Sequence, residues 1–223
     1  MVPAAGVGAR MGAGLPKQYL SLAGRSILAR TLDVLASHPQ IDTVVVGISA
    51  DDNHWHESGH DNVFRFPGGS ERCHTVLNGL LYIVAEGSAD DWVLVHDAVR
   101  PLVCTDDISR LIEVARQSSH GALLAQPMND TVKRADPEGG VVETVDRSSL
   151  WRAATPQMFR AGLLKDALVA ALEQGFTVTD ESSAVEHAGH RPRLVSCSSQ
   201  NIKITTPADL EYAAYVIQTR KQP

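Results

Sequence analysis

Short runs of aliphatic and β-branched residues alternate along the chain with segments of helical period. Residues 43–48 (TVVVGI), 62–66, 92–95 and 122–125 read as strands. Two of them are nearly continuous apolar runs, as expected of parallel strands covered on both faces. Ser26 opens a helix whose Leu28, Leu32 and Leu35 share one stripe. Thr105 is expected to cap another, with Asp106 and Asp107 in its first turn and Ile108, Leu111, Ile112 and Ala115 on its buried face. The last helix takes Thr206 as N-cap, Pro207 as first helical residue and Asp209 near its positive end. Its buried stripe is Leu210, Ala213, Ala214 and Ile217. This alternation predicts an α/β fold, a doubly wound and mostly parallel sheet, in one domain spanning residues 1–223.

Residues 127–150 break the pattern. Thr131-Val-Lys-Arg134 and the stretch from Val141 to Arg147 read as short strands around the turn Asp136-Pro-Glu-Gly-Gly140, hence a hairpin. The hairpin is too polar to bury much of itself. It is either a solvated surface element or an arm that packs on a second subunit.

A chain of 223 residues can build a full apolar core without disulfide or metal support. Lys plus Arg number 20 against 26 Asp plus Glu, a net charge of −6 that argues against bulk nucleic-acid binding but not against a small phosphorylated ligand. The apolar runs are far shorter than the about 20 residues of a bilayer span. The start has no basic region followed by an apolar stretch, so neither a membrane segment nor a secretory leader is expected. Cys73, Cys104 and Cys197 are odd in number and lack a C-x-x-C pair, which fits a reducing cytoplasm and inert thiols. His54, His56 and His60 lie close together, but nothing completes a tetrahedral metal site.

Chemistry concentrates in two segments. Val2-Pro-Ala-Ala-Gly-Val-Gly-Ala-Arg-Met-Gly12 carries a strand into a glycine-rich loop, followed by Leu15-Pro-Lys-Gln18. Gly6, Gly8 and Gly12 let successive N–H groups face a phosphate. No Gly-Lys-Ser/Thr follows, so this is not a Walker A loop. Met11 stands where the dinucleotide fingerprint needs Gly or Ala, which sets aside a dinucleotide oxidoreductase. Arg10 and Lys17 add cations around the loop, an arrangement suited to a triphosphate whose leaving group needs stabilising. The second segment is Val95-His-Asp-Ala-Val-Arg-Pro101. Asp97 and Arg100 fall at the carboxyl end of a strand, where open α/β sheets bind ligands. Asp97 can hold Mg²⁺ or sugar hydroxyls there, and Arg100 can clamp a phosphate. Lys133, Arg147 and Lys203 are further cations in motif-like settings.

Together these segments resemble a known family. Residues 3–18 are similar to the signature loop of the sugar-nucleotide pyrophosphorylase superfamily. Pro16-Lys-Gln-Tyr19, His96-Asp-Ala-Val-Arg-Pro101, Asp130-Thr-Val-Lys133, Thr144-Val-Asp-Arg147, Leu150-Trp151, Thr155-Pro-Gln-Met-Phe159, Thr179-Asp-Glu181 and Asn201-Ile-Lys-Ile-Thr205 resemble the 2-C-methyl-D-erythritol 4-phosphate cytidylyltransferase family, in that family's order and over nearly the whole chain. The resemblance implies a Rossmann-like nucleotidyltransferase fold and a homodimer formed through the 127–150 arm. The implied reaction is attack of methylerythritol phosphate on CTP with release of pyrophosphate, aided by Mg²⁺ or another divalent cation. It implies that Arg10, Lys17, Arg147 and Lys203 are catalytic. Asp97, Arg100, Thr131 and Thr155 would bind the acceptor, Thr131 and Arg147 reaching it from the other subunit. Ala4, Ala5, Gly6, Gly69, Thr75 and Ala98 would line the CTP site. Pro67-Gly-Gly-Ser70 is poor in side chains that read a base, so its backbone is expected to select cytosine.

The chain departs from that family at three places. Val99 replaces the usual Ala. Thr75 replaces the usual Ser and brings a methyl toward the ribose. Only Met1 and Val2 precede Pro3, so either the first strand is short or the true start lies upstream. Two other readings remain at this level. One is a nucleotidyltransferase for another polyol phosphate such as ribitol 5-phosphate, which Thr131 and Arg147 disfavour. The other is a non-catalytic nucleotide-binding protein, against which stands the joint presence of Arg10, Lys17, Asp97, Arg147 and Lys203.

Overall fold

In a computed structural model, residues 1–6, 15–55 and 59–220 are described. Arg10, with Gly8, Gly12 and His56, lies outside the described residues. Strand β1 (Val2–Pro3) is followed by a single 3₁₀ turn at Lys17–Tyr19, a small ribbon β2 (Ser21–Leu22) and β3 (Arg25–Ser26), and helix α1 (Ile27–Ala36). Then come β4 (Val44–Ile48), β5 (Val63–Pro67), α2 (Arg72–Glu86), β6 (Trp92–Val95), α3 (Thr105–Arg116) and β7 (Ala122–Pro127). The hairpin is β8 (Val132–Ala135) with β9 (Val141–Val145). The chain closes with β10 (Trp151–Arg160), α4 (Ala161–Glu173), α5 (Glu181–His187), β11 (Arg193–Ser196) and α6 (Pro207–Arg220).

Strands β1, β4 and β5 pair in parallel in the order β1-β4-β5, and the second group runs β11-β7-β10-β6. Met1 joins the two groups: its amino group donates to Leu94 O (2.7 Å), and His96 N–H donates to Met1 O (3.0 Å). The result is one sheet, β5-β4-β1-β6-β10-β7-β11, in which only β10 runs antiparallel to its neighbours. Strand order reverses direction at β1, so the crevice between the carboxyl ends of β1 and β6 is the topological switch point where such sheets take ligands.

Both faces are covered. Val44, Val46 and Ile48 pack with Leu28, Leu32 and Leu35 of α1 and Ile108, Leu111 and Ile112 of α3. Val45, Val93, Val95 and Phe159 face the other way, onto Val76 and Leu80 of α2, Leu164 and Leu168 of α4, and Ala184 and Val185 of α5. Residues two apart along β4 therefore serve one layer, and adjacent ones serve opposite layers, as strand geometry requires. α6 makes a smaller core with Leu22, Ile27, Leu102 and Ile204.

The expected helix starts hold with one correction. Ser26 Oγ accepts Ala29 N–H (3.1 Å), and Thr206 Oγ1 accepts Asp209 N–H (3.3 Å), as N-caps do. α3, however, begins at Thr105 itself, and its N-cap is Cys104, which makes no side-chain capping bond. Asp107 in that first turn is buried and accepts Ser198 N–H (2.9 Å). It ties α3 to the loop after β11.

α2 approaches the sheet closely because Gly47 has no side chain. A Cβ there would lie 2.5 Å from Thr75 Cγ2 and 2.7 Å from Phe66 Cζ. Substitution Gly47→Ala should therefore push α2 outward and destabilise the fold by about 1–3 kcal/mol, as overpacking does. Urea unfolding of the two proteins at one pH checks it.

Candidate active site

The residues after β6 turn sharply, Arg100 N–H donating to Asp97 O (3.1 Å), and bring Asp97 to the switch point. Asp97 is only 6% exposed. Its Oδ1 accepts from Arg72 Nε (3.1 Å), and its Oδ2 meets Arg100 Nε (3.2 Å) and Lys203 Nζ (3.1 Å). Burial alone pushes this carboxyl up, but the charges of Arg72, Lys203 and Arg100 outweigh it and hold Asp97 well below the usual carboxylate range. Arg72 in turn grips Glu181 through Nη1 (2.6 Å) and Nη2 (3.1 Å).

Behind Asp97 lies a chain of neutral hydrogen bonds. Thr155 Oγ1 accepts Asp97 N–H (3.0 Å) and lies 3.0 Å from His96 Nδ1, while His96 Nε2 lies 3.1 Å from Arg100 O. A carbonyl can only accept, so Nε2 carries the proton of the neutral ring and Nδ1 accepts from the Thr155 hydroxyl. The neutral form follows from burial, which pushes His96 down to about 4. Asn201 completes the frame, its Nδ2 donating to Thr155 O (2.9 Å) and its carbonyl accepting from Arg100 Nη1 (2.8 Å).

Two cavities meet at Lys203. The larger, about 480 Å³, is lined by Ala4, Ala5, Gly6, Gly69, Thr75 and Ala98, all six residues expected around a nucleotide. Lys17, Glu71, Arg72, Asp97 and Lys203 also border it, so small residues form part of its wall and charged side chains another part. Gln18 Nε2 donates to Ala4 O (2.8 Å) and Gly6 O (3.1 Å), fixing the start of the glycine-rich segment. Thr75 Oγ1 accepts Gly69 N–H (3.0 Å), and the Thr75 methyl lies close over Gly47. A side chain at Gly68 would meet Ala5 Cβ at 2.4 Å, so glycine is required for these walls to close. The smaller cavity, about 250 Å³, adds Arg100, Gln126, Arg152 and Asp209.

Thr131 and Arg147 line neither cavity; they sit on the exposed hairpin, where Arg147 Nη1 bonds Asn129 O. Arg72, Arg100 and Lys203 all donate to Asp97, so a divalent ion on this carboxylate would have to share it with three cations. Among the described residues the one group of clustered metal-type donors is Glu71, Cys73 and His74, of which Glu71 borders the larger cavity. His60 Nε2 pairs with Asp33 Oδ1 (3.0 Å). Burial raises the thiols of Cys73 and Cys197, in keeping with inert cysteines. Sequence reasoning missed Arg72 and named Glu181 only within the Thr179-Asp-Glu181 motif, without a role in the site. The available signal was an arginine in the first turn of α2, where the helix dipole disfavours a cation and a buried carboxylate partner is needed.

Comparison with known proteins gives a consistent result. The family profile described as 2-C-methyl-D-erythritol 4-phosphate cytidylyltransferase matches residues 1–219. The chain is 51% identical over 216 residues to the protein of that name from Pseudomonas aeruginosa PAO1, covering 94% of this chain and 92% of that one. It is 47% identical over 224 residues to its Vibrio vulnificus CMCP6 counterpart, covering 99% and 94%. Among solved structures, a 4-diphosphocytidyl-2C-methyl-D-erythritol synthase superposes with a TM-score of 0.85 at 36% identity over 97% of this chain and 96% of that one. The Francisella tularensis cytidylyltransferase gives 0.82 at 40% identity, covering 96% of each.

The buried neutral His96 makes a pH prediction. Its folded value lies near 4 against an ordinary 6.5, so between these pH values the unfolded chain binds more protons. Stability from this group is fully present above pH about 6.5 and falls with pH by up to about 1.4 kcal/mol per unit until pH about 4. Urea unfolding between these limits should show this slope in the wild type and a shallower one in His96→Gln.

Proposed function

The chain belongs to the 2-C-methyl-D-erythritol 4-phosphate cytidylyltransferase family, and from that premise we propose how its residues divide the work. It is an enzyme that transfers a cytidylyl group from CTP to 2-C-methyl-D-erythritol 4-phosphate, releasing pyrophosphate, in non-mevalonate isoprenoid precursor biosynthesis. One observation carries the division of roles: a buried carboxylate, Asp97, ringed by Arg72, Arg100 and Lys203 where two cavities meet.

In this reading CTP occupies the larger cavity, with Ala4, Ala5, Gly6, Gly69, Thr75 and Ala98 around it and the 67–70 backbone against the cytosine. The acceptor occupies the smaller one. Its phosphate oxygen attacks the α-phosphorus of CTP, and the bond to pyrophosphate breaks as the new P–O bond forms. The nucleophile is already anionic near neutral pH, so no strong general base is required. What the protein supplies is position and neutralising charge. Lys203 stands between the two cavities beside the α-phosphate, while Lys17 and Arg10 neutralise charge on the leaving phosphates. Asp97 accepts from the polyol hydroxyls and aims Arg100 and Lys203. Thr155 serves the acceptor through Asp97, since its hydroxyl proton is committed to His96. A divalent ion such as Mg²⁺, if bound with CTP, would help Lys17 and Arg10 neutralise the charge of the leaving phosphates.

The hairpin completes the proposal. Val141 and Val142 on its β9 strand are 66% and 60% exposed, apolar surface that a second copy of the chain would cover. Thr131 and Arg147 then enter the partner's cleft, and each site is built from two chains. A cytoplasmic enzyme fits the three free cysteines.

Pyrophosphate release from CTP with methylerythritol phosphate should exceed that with other nucleoside triphosphates or with ribitol 5-phosphate; equal rates would sink the assignment of specificity. Lys17→Ala should lose ~10²–10³ in turnover at saturating CTP, the usual effect of removing one preorganised charge. Arg147→Ala should impair use of the acceptor and spare CTP binding. When these two variants are mixed under subunit exchange, a shared site predicts recovery of about a quarter of the wild-type sites, because half the dimers are mixed and each has one intact site. No recovery despite proven exchange excludes the shared site.

A further inference from the structure

The Thr179-Asp-Glu181 segment has no place in either cavity, yet it is the most elaborately fixed helix start in the molecule. Asp180 Oδ1 accepts Ser183 N–H (2.9 Å) in a capping box. Asp180 Oδ2 accepts from Gln157 Nε2 (2.8 Å), whose Oε1 in turn accepts Ser182 N–H (2.8 Å). The first turn of α5 is thereby pinned to β10. Glu181, only 1% exposed, cannot reach solvent and presents both oxygens to Arg72.

Arg72 stands on the wall of the larger cavity and commits three of its five N–H donors inside the protein: Nη1 and Nη2 on Glu181, Nε on Asp97 Oδ1. Asp97 Oδ2 is left to Arg100 and Lys203. Resting on the reading above, we propose that Arg72, aimed by Glu181, is a positioning residue for cytidylyl transfer: it holds one oxygen of Asp97 so that the carboxylate cannot turn both oxygens onto Lys203 and Arg100.

The pair is not needed merely to seat α5 on α2. Val76, Leu80, Ala184, Val185 and Leu164 already share one apolar cluster there. A buried ion pair is commonly no better for stability than apolar residues of similar volume, whereas breaking it leaves a lone buried charge. The bond from Arg72 to Asp97 supplies the reason that packing does not. The Arg72 charge is also the largest of those that keep Asp97 ionised against its burial.

The test combines stability with steady-state kinetics on the full-length protein, using CTP and methylerythritol phosphate. Arg72→Met should lower kcat by about 10²-fold, the cost of a misplaced reacting group, with KM for CTP unchanged. Arg72→Met with Glu181→Leu should regain melting temperature but not kcat. Arg72→Lys should restore part of the turnover. The acid limb of the pH–rate profile should move to higher pH in Arg72→Met, because Asp97 has lost a cation. Should the double variant not fold, Glu181→Gln, nearly isosteric, carries the same kinetic and pH readouts. Recovery of kcat together with stability in the double variant would mean a purely structural pair. A rise in KM for CTP at unchanged kcat would mean direct nucleotide contact, and an unmoved acid limb would separate Arg72 from Asp97; each overturns the proposal. Absence of pyrophosphate release in the wild type would remove the functional reading and this inference with it.

Discussion

Asp97 is a carboxylate almost wholly withdrawn from water, and it persists as an anion because two guanidinium groups and an ammonium surround it. A buried charge without partners costs several kcal/mol, so the architecture around it has to deliver those partners accurately. They come from three separate elements. Arg72 starts α2, Arg100 follows β6 by one turn, and Lys203 precedes α6. The sheet brings them together because its order reverses at β1, leaving a crevice into which loops from both halves project. Removing the cluster would leave a sound α/β core around an uncompensated hole at its ligand-binding edge.

The larger cavity has two kinds of wall. One is made of small residues, Ala4, Ala5, Gly6, Gly69 and Ala98, with Thr75 holding the turn through Gly69 N–H; the other carries the charges of Lys17, Arg72, Asp97 and Lys203. The first suits a flat base recognised by main-chain groups. The smaller is lined by Arg100, Arg152, Lys203 and Asp209, groups suited to a phosphate on a polyol. Neutral hydrogen bonds from Thr155, His96 and Asn201 support the boundary between them without adding charge, which leaves the cations for the ligands. A site that must join two polyanions benefits from this separation of recognition and neutralisation.

Much of this was legible in the order of residues. Apolar runs such as 43–48 marked the buried parallel strands, Ser26 and Thr206 marked helix starts, and Asp97 with Arg100 after a buried strand marked the ligand edge. Strand β10 was not legible as a strand, because Thr155, Pro156 and Gln157 interrupt its apolar pattern; its pairing with both β6 and β7 compensates for those polar residues. The capping role expected of Thr105 is not used: α3 begins at Thr105, Cys104 stands at the N-cap without a side-chain bond, and Asp107 bonds Ser198 N–H and Arg110. The Thr75 methyl, expected to face the ribose, turns instead onto Gly47. The pairing of Arg72 with Glu181 escaped notice because it spans 109 residues and no local spacing encodes it.

The amino-acid sequence by itself determined the alternation of strands and helices, the polar hairpin, the glycine-rich segment and the family motifs, since these depend on neighbours within a few residues and on short-range backbone preferences. It also supplied the residues that surround the larger cavity. Only the tertiary structure decided how those residues share charge: that Asp97 is held by three cations, that His96 is neutral, and that Glu181 reaches the site through Arg72. These are matters of burial and of distances between groups far apart in the chain, and both exist only after the sheet has closed and water has been excluded from its carboxyl edge.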